Sequence, residues 1–381
     1  MKGANSLNKV NMEGRIIYAD NAATTKISAL AYERMSEYLL DNYGNASQPY
    51  SFARNPKKAL KEAREIVAAC IGAHPEEIYF TSCGTESDNW VLSLFREKGI
   101  TTTPIEHHAI LNPCKFYSKL GTPVQYLNVE RTGTVVMEDF KKLACPKGSL
   151  ISVIYSNNEI GTIQDITHIA QIAHEKNCYF HTDAVQAVGH IEINVEEQNI
   201  DFLSASAHKF NGPKGIGFMY AKKSAPLHPL ILGGSQESSM RAGTENIASI
   251  IAMATALKEN VDALNNNKKH LLELESVLLG SLSSFNLDYV RNGSNHIPGN
   301  LSLSFNGANG EMLLHRLDLM GICVSTGSAC DSLNTHVSHV LSSIGLPKEY
   351  AEGTIRISLS KDNTIDEVIH IASSINKILN F

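Results

Sequence analysis

From about Ile17 to Tyr220, short apolar runs alternate with longer stretches whose apolar positions recur at helical spacing. Short runs bounded by turn residues read as buried strands, and apolar residues three and four apart read as one face of a helix. The pattern predicts strands over residues 78–81, 124–127, 150–155, 178–182 and 216–220, and helices over 56–71, 86–98, 166–175 and 247–264. Parallel neighbours need a long crossover, so alternation of strand and helix predicts an α/β unit. Its sheet is mostly parallel and covered on both faces.

The pattern changes at Asn265, Asn266 and Asn267, three polar residues that interrupt a long helical period. A boundary there divides the chain into a large unit, 16–264, and a smaller α+β unit built from 1–15 and 265–381. In the smaller unit the pattern predicts a strand over 301–305, a helix over 310–320 and a strand over 353–359. No internal repeat or low-complexity tract is present.

Bulk properties narrow the class. A chain of 381 residues, 43% hydrophobic and 19% charged, is long enough for two packed units of an ordinary globular protein. A net charge of -6 gives no electrostatic reason to bind nucleic acid or an anionic membrane, and neither partner is expected. No apolar run is long enough to cross a bilayer, and residues 1–15 are polar, without a signal-peptide core. The seven cysteines are scattered without a C-x-x-C pair, so a disulfide framework or zinc ribbon is not expected. These features point to the cytoplasm.

Three segments carry candidate chemistry. In Ser204-Ala-Ser-Ala-His-Lys-Phe-Asn-Gly-Pro-Lys-Gly-Ile-Gly217, small residues allow close backbone approach to a ligand. Lys209 there can form a Schiff base with a carbonyl cofactor once its charge is suppressed. Alone, it reads as a surface lysine in a turn. In Tyr179-Phe-His-Thr-Asp-Ala-Val-Gln186, Asp183 stands at the end of a buried strand, where ligands bind in open α/β sheets. A carboxylate there can keep a pyridine nitrogen protonated, although alone it reads as a helix N-cap. In Phe80-Thr-Ser-Cys-Gly-Thr-Glu-Ser-Asp-Asn89, a strand turns into a helix whose free N–H groups offer a phosphate seat. Its bland reading is simple capping by Thr85 or Ser87.

Together these segments, in this order, resemble the class V aminotransferase family of fold type I, and within it the cysteine desulfurases. The resemblance runs from Tyr18-Ala-Asp-Asn-Ala-Ala-Thr-Thr25 to Ile355-Arg-Ile-Ser358. It passes through Glu106-His-His-Ala109, Ser156-Asn-Asn-Glu-Ile-Gly-Thr162 and Arg241-Ala-Gly-Thr-Glu-Asn246. It implies pyridoxal 5'-phosphate as cofactor, with Lys209 as the Schiff-base lysine, Asp183 on the ring nitrogen, Gln186 on the ring hydroxyl and His107 stacked on the ring. It implies a phosphate site from Gly84, Thr85, Ser206 and His208, with Thr244 contributed by the second subunit of a homodimer. Asn158 and Arg356 take the substrate carboxylate, a role suited to the planar guanidinium fork. His107 and His108 are adjacent and do not converge on one ion, so no metal is expected.

The small, polar stretch Val324–Leu341 resembles the family's loop bearing the nucleophilic thiol, here Cys330. The resemblance implies conversion of L-cysteine to L-alanine, with a persulfide formed on Cys330 and passed to an acceptor protein or small thiol; iron–sulfur cluster assembly, tRNA thiolation and DNA sulfur modification all stay open as its destination. A selenocysteine lyase or another class V aminotransferase would share the cofactor site without needing Cys330. Cys70, Cys178 and Cys323 lie in apolar surroundings and read as small core residues. Four positions depart from the family pattern: Tyr50, Cys83, Ser235 and Asp331. Asp331 opposes formation of a thiolate beside it, which His336 or His339 would have to favour.

Overall fold

The computed structural model describes residues 16–326 and 337–380. Residues 1–15, assigned above to the smaller unit, lie outside the described residues, as do Cys330, Asp331 and His336.

A seven-stranded sheet runs in the order Ile78–Thr81, Gly217–Ala221, Phe202–Ser206, Tyr179–Asp183, Leu150–Ser152, Ile100–Thr102, Val124–Tyr126. Gly217–Ala221 is antiparallel to both neighbours and the remaining pairs are parallel, so the expected α/β class with a mostly parallel sheet holds. Successive side chains on a strand point to opposite faces, and here both faces are buried. Phe218 and Tyr220 join Leu203 and Ala205 in one core, beneath helices Arg54–Ile71 and Ile247–Asp262. Met219 and Ala221 join Phe202, Trp90 and Phe95 on the other face.

The strands at 100–102 and 202–206 were not expected. Their sequences, Ile-Thr-Thr and Phe-Leu-Ser-Ala-Ser, are too short or too rich in small polar residues to stand out. Expected strand 150–155 stops at Ser152, and helix 86–98 is found as Gly84–Leu94.

A second core packs helices Leu264–Ser284 and Ile365–Leu379 on an antiparallel sheet of Thr354–Ser358, Asn300–Phe305 and Tyr289–Arg291. Asn265, Asn266 and Asn267 do not break the helical pattern; they lie inside helix Leu264–Ser284. Each asparagine costs a helix only about 0.5 kcal/mol against alanine. Burial of Leu271, Leu274, Leu278 and Leu282 along the same helix outweighs that. Ile17 and Ala19 also belong to this second core, and Ile17–Tyr18 pairs in parallel with Ile322–Cys323. The start of the chain segment assigned to the large unit therefore packs with the smaller one.

Residues 19–25 stitch the two cores together. Asn21 N–H donates to Ser358 O at 3.1 Å, and Thr25 N–H donates to His208 O at 2.8 Å. No helix among the described residues is long and apolar enough to cross a membrane.

Candidate active site

The carboxyl ends of the parallel strands open onto a cavity of about 300 Å³. It is lined by Lys209, Asp183, Gln186, Ser206, His208, His107, Gly84, Thr85, Asn158 and Arg356, which the sequence had scattered over more than 270 positions. Ser206 is the last residue of its strand, and the 3₁₀ turn Ala207–Lys209 that follows swings the lysine to the cavity floor. There Lys209 Nζ donates to the carbonyls of Ala22 and Ala23 at 2.6 and 2.9 Å. Gln186 Nε2 donates to the same Ala22 carbonyl at 2.9 Å.

Asp183 ends the neighbouring strand and is buried. Its Oδ1 accepts from Val185 N–H at 3.0 Å. Burial pushes its carboxyl up to about 6, against the pull of that hydrogen bond and of the Lys209 charge. A cationic N–H placed against it would restore the ordinary carboxylate.

The helix Gly84–Leu94 points its amino end into the cavity, and no side chain caps it. Its first N–H groups are thus available to an anion. A Cβ built on Gly84 would stand 2.5 Å from Val185 Cγ2, so the missing side chain keeps the seat open beside the Asp183 turn. Cys83, where the family carries glycine, has extended backbone at φ -175° and needs no glycine. The nearby His208 ring nitrogen Nδ1 lies 3.2 Å from Thr24 Oγ1, and burial holds the ring down at about 4.

His107 caps helix His108–Lys119: its Nδ1 accepts from Ala109 N–H at 3.1 Å. That bond puts the ring proton of the neutral form on Nε2. Burial, then the charges of Lys209 and His108, hold its pKa at about 4. A neutral imidazole on the cavity wall can stack on an aromatic ring without repelling a cation.

Across the cavity, Arg356 is buried on strand Thr354–Ser358. Nη1 donates to Asn158 O at 2.9 Å and Nη2 to Asp20 Oδ1 at 2.7 Å, while Nε is buried with no hydrogen-bond partner. The amine, the buried acid, the uncapped helix end and the flat neutral histidine are the donor set that an aldehyde–phosphate–pyridine cofactor requires. The residues present fit pyridoxal 5'-phosphate.

Of the expected site residues that are described, Thr244 alone does not line this cavity. Thr244 is exposed in its turn, and Cys330 lies outside the described residues. Tyr50 and Ser235 are exposed. The His339 ring lies 4.9 Å from the His108 ring at a tilt of 44°, and its Nε2 is 3.0 Å from Glu106 O. Cys178 is buried as expected, whereas Cys70 and Cys323 are partly exposed at the core edges.

Sequence reasoning missed several charged groups. Asp20 lies in the Tyr18–Thr25 motif, but nothing local in the sequence pairs it with Arg356. Asp88 lines the cavity, fully buried, and burial together with the Asp183 charge pushes its carboxyl well up. Glu106 is buried beneath, accepting from Thr103 Oγ1 at 2.7 Å and Ile154 N–H at 3.0 Å. The signal for Asp88 was available: an acid sharing a helix with the apolar residues Trp90, Val91 and Leu92.

The family model for class V aminotransferases matches residues 17–371. The chain is 44% identical over 373 residues to the cysteine desulfurase IscS of Dictyoglomus turgidum, covering 96% of this chain and 95% of that protein. It superimposes on a solved NifS-like protein with a TM-score of 0.90 at 37% identity, over 96% of this chain and all of the other. It is also similar to a structure described as SspA in complex with cysteine, with a TM-score of 0.80 at 32% identity, over 91% of this chain and 100% of the other.

Proposed function

The chain belongs to the class V aminotransferase family and is a pyridoxal-phosphate-dependent cysteine desulfurase; on that footing we propose that Cys330 takes the sulfur of L-cysteine as a persulfide and passes it to an acceptor thiol. The observation that carries this assignment of roles is the convergence of Lys209, Asp183, His107 and Arg356 on one cavity.

Bound there, pyridoxal 5'-phosphate supplies an aldehyde for the substrate amine and a pyridinium ring that accepts electron density from the substrate Cα. Lys209 would anchor it, and its Nζ would take up the substrate Cα proton. Asp183 would hold a proton at the ring nitrogen, Gln186 would meet the ring hydroxyl, and His107 would cover one face. Gly84, Thr85, Ser206 and His208 seat the phosphate, with Thr244 of a second subunit completing it; the exposure of Thr244 supports that homodimer. Asn158 and Arg356 fix the substrate carboxylate and so aim its sulfur.

The Cys330 thiolate attacks that sulfur. An S–S bond forms as the Cβ–S bond breaks; the electron pair left on Cβ takes a proton, and return of the Cα proton from Lys209 Nζ completes L-alanine. The persulfide sulfur then leaves for an acceptor protein. Iron–sulfur cluster assembly is the destination we favour, and the unpaired pattern of cysteines in the sequence supports a cytoplasmic setting.

Purified holoenzyme given L-cysteine and a reductant should release alanine and sulfide in equal amounts. Cys330→Ala should keep the cofactor's visible band and lose both products. Undiminished alanine from that variant would remove Cys330 from the reaction.

A further inference from the structure

Two cysteines that take no part in the active site meet at the edge of the large core. Cys145 follows helix Met137–Lys142, and Cys178 immediately precedes strand Tyr179–Asp183. Their Sγ atoms are 2.8 Å apart. A disulfide bond is about 2.05 Å long, so less than about 1 Å of movement separates the pair from bonding distance.

The two segments are fixed to each other independently of the thiols. Lys176 Nζ donates to Leu143 O at 3.2 Å, and Gly148 N–H donates to Asn177 O at 2.8 Å. Ser149 Oγ lies 3.3 Å from Cys178 Sγ on the other side. Cys178 is buried and Cys145 partly exposed, so one thiol is open to a reagent and the other waits behind it. Burial also pushes the Cys178 thiol up to about 11, which leaves Cys145 as the group that reacts first.

We propose that Cys145 and Cys178 are a dithiol modification site that closes to a reversible disulfide, with a low-molecular-weight disulfide as oxidant. The Cys145 thiolate attacks the reagent, forming a mixed disulfide and releasing one thiolate. Cys178 then gives up its proton and attacks Cys145 Sγ, forming the internal bond and releasing the second thiolate. Two protein thiols are oxidised and one disulfide is reduced to two thiols, so electrons balance. The absence of a structural disulfide pattern in the sequence agrees with a bond that forms only under oxidation.

The test uses the holoenzyme carrying Cys330→Ala, treated with oxidised glutathione, then alkylated and digested. The expected result is one linked peptide pair joining Cys145 to Cys178, about 2 Da lighter than the two free peptides and lost on adding dithiothreitol. Cys178→Ser should instead hold a stable glutathione adduct on Cys145. If Cys145 and Cys178 both remain alkylatable, or if either links to a different cysteine, the proposal is overturned. Absence of any adduct on Cys145 in the Cys178→Ser protein would overturn the order of attack.

Discussion

Asp20 Oδ1 accepts a hydrogen bond from Arg356 Nη2 at 2.7 Å, so the guanidinium assigned to the substrate carboxylate already faces one carboxylate of the protein itself. With Nη1 on Asn158 O, the fork is held in a fixed plane while its buried Nε keeps unspent hydrogen-bonding capacity. A point-charge ammonium cannot reproduce that plane. Arg356→Lys should therefore lower kcat/KM for L-cysteine about 100-fold, mainly by raising KM, with the cofactor band unchanged. Steady-state kinetics with an unchanged KM would make Arg356 a structural partner of Asp20 only.

Lys209 Nζ donates to two backbone carbonyls, those of Ala22 and Ala23. Lys209→Ala should abolish covalent retention of the cofactor. Borohydride treatment followed by intact-mass measurement should fix the cofactor to the wild-type chain and not to the variant. Turnover should fall by at least about 1000-fold, since both the anchor and the Cα proton acceptor are gone. A borohydride-fixed cofactor in the variant would point to another lysine.

These contacts mark where the sequence was legible and where it was not. Asp183 and Gly84 stand out because they sit at strand ends that periodicity locates, whereas Lys209 stands out through the small and glycine residues around it. The tether of Lys209 uses main-chain oxygens of two alanines, which leave no residue-type signature. The Asp20–Arg356 pair joins positions 336 residues apart, beyond any local pattern. The reversed direction of Gly217–Ala221 was equally hidden, because a strand buried on both faces reads alike in either sense. Asn265 to Asn267 misled for the opposite reason: local polarity was outweighed by leucines packed further along the same helix.

The buried carboxyl of Asp183 sets a cost on the cofactor-free protein. Its pKa rises from 3.8 unfolded to about 6 folded, so between those values the native state binds more protons than the unfolded state. Stability is then full below 3.8 and declines as pH rises through about 6. At pH 7 the loss is on the order of 2–3 kcal/mol. Cofactor-free Asp183→Asn should be more stable than wild type by about that amount at neutral pH, with the difference vanishing in acid. Urea unfolding at several pH values checks this. A constant difference across pH would mean that Asp183 ionises freely in the folded chain. In the holoenzyme the same substitution should reduce activity, because the acid that keeps the ring nitrogen protonated is lost.

Gly84 tests the phosphate seat separately from the chemistry. Its Cβ would lie 2.5 Å from Val185 Cγ2 and 3.6 Å from Ser206 Cβ, so the single severe contact is with one methyl group. Gly84→Ala should push the Asp183–Gln186 turn away from the helix terminus and weaken cofactor binding at least about tenfold, or about 1.4 kcal/mol. Val185→Ala removes the opposing methyl, so the double variant should regain most of that affinity. Such recovery is a coupling between two neighbours, which independent sites do not give. Equilibrium dialysis with pyridoxal 5'-phosphate measures all four proteins. A double variant no better than Gly84→Ala would place the strain in the helix backbone itself, and the seat would then depend on the path of the first turn rather than on the space beside it.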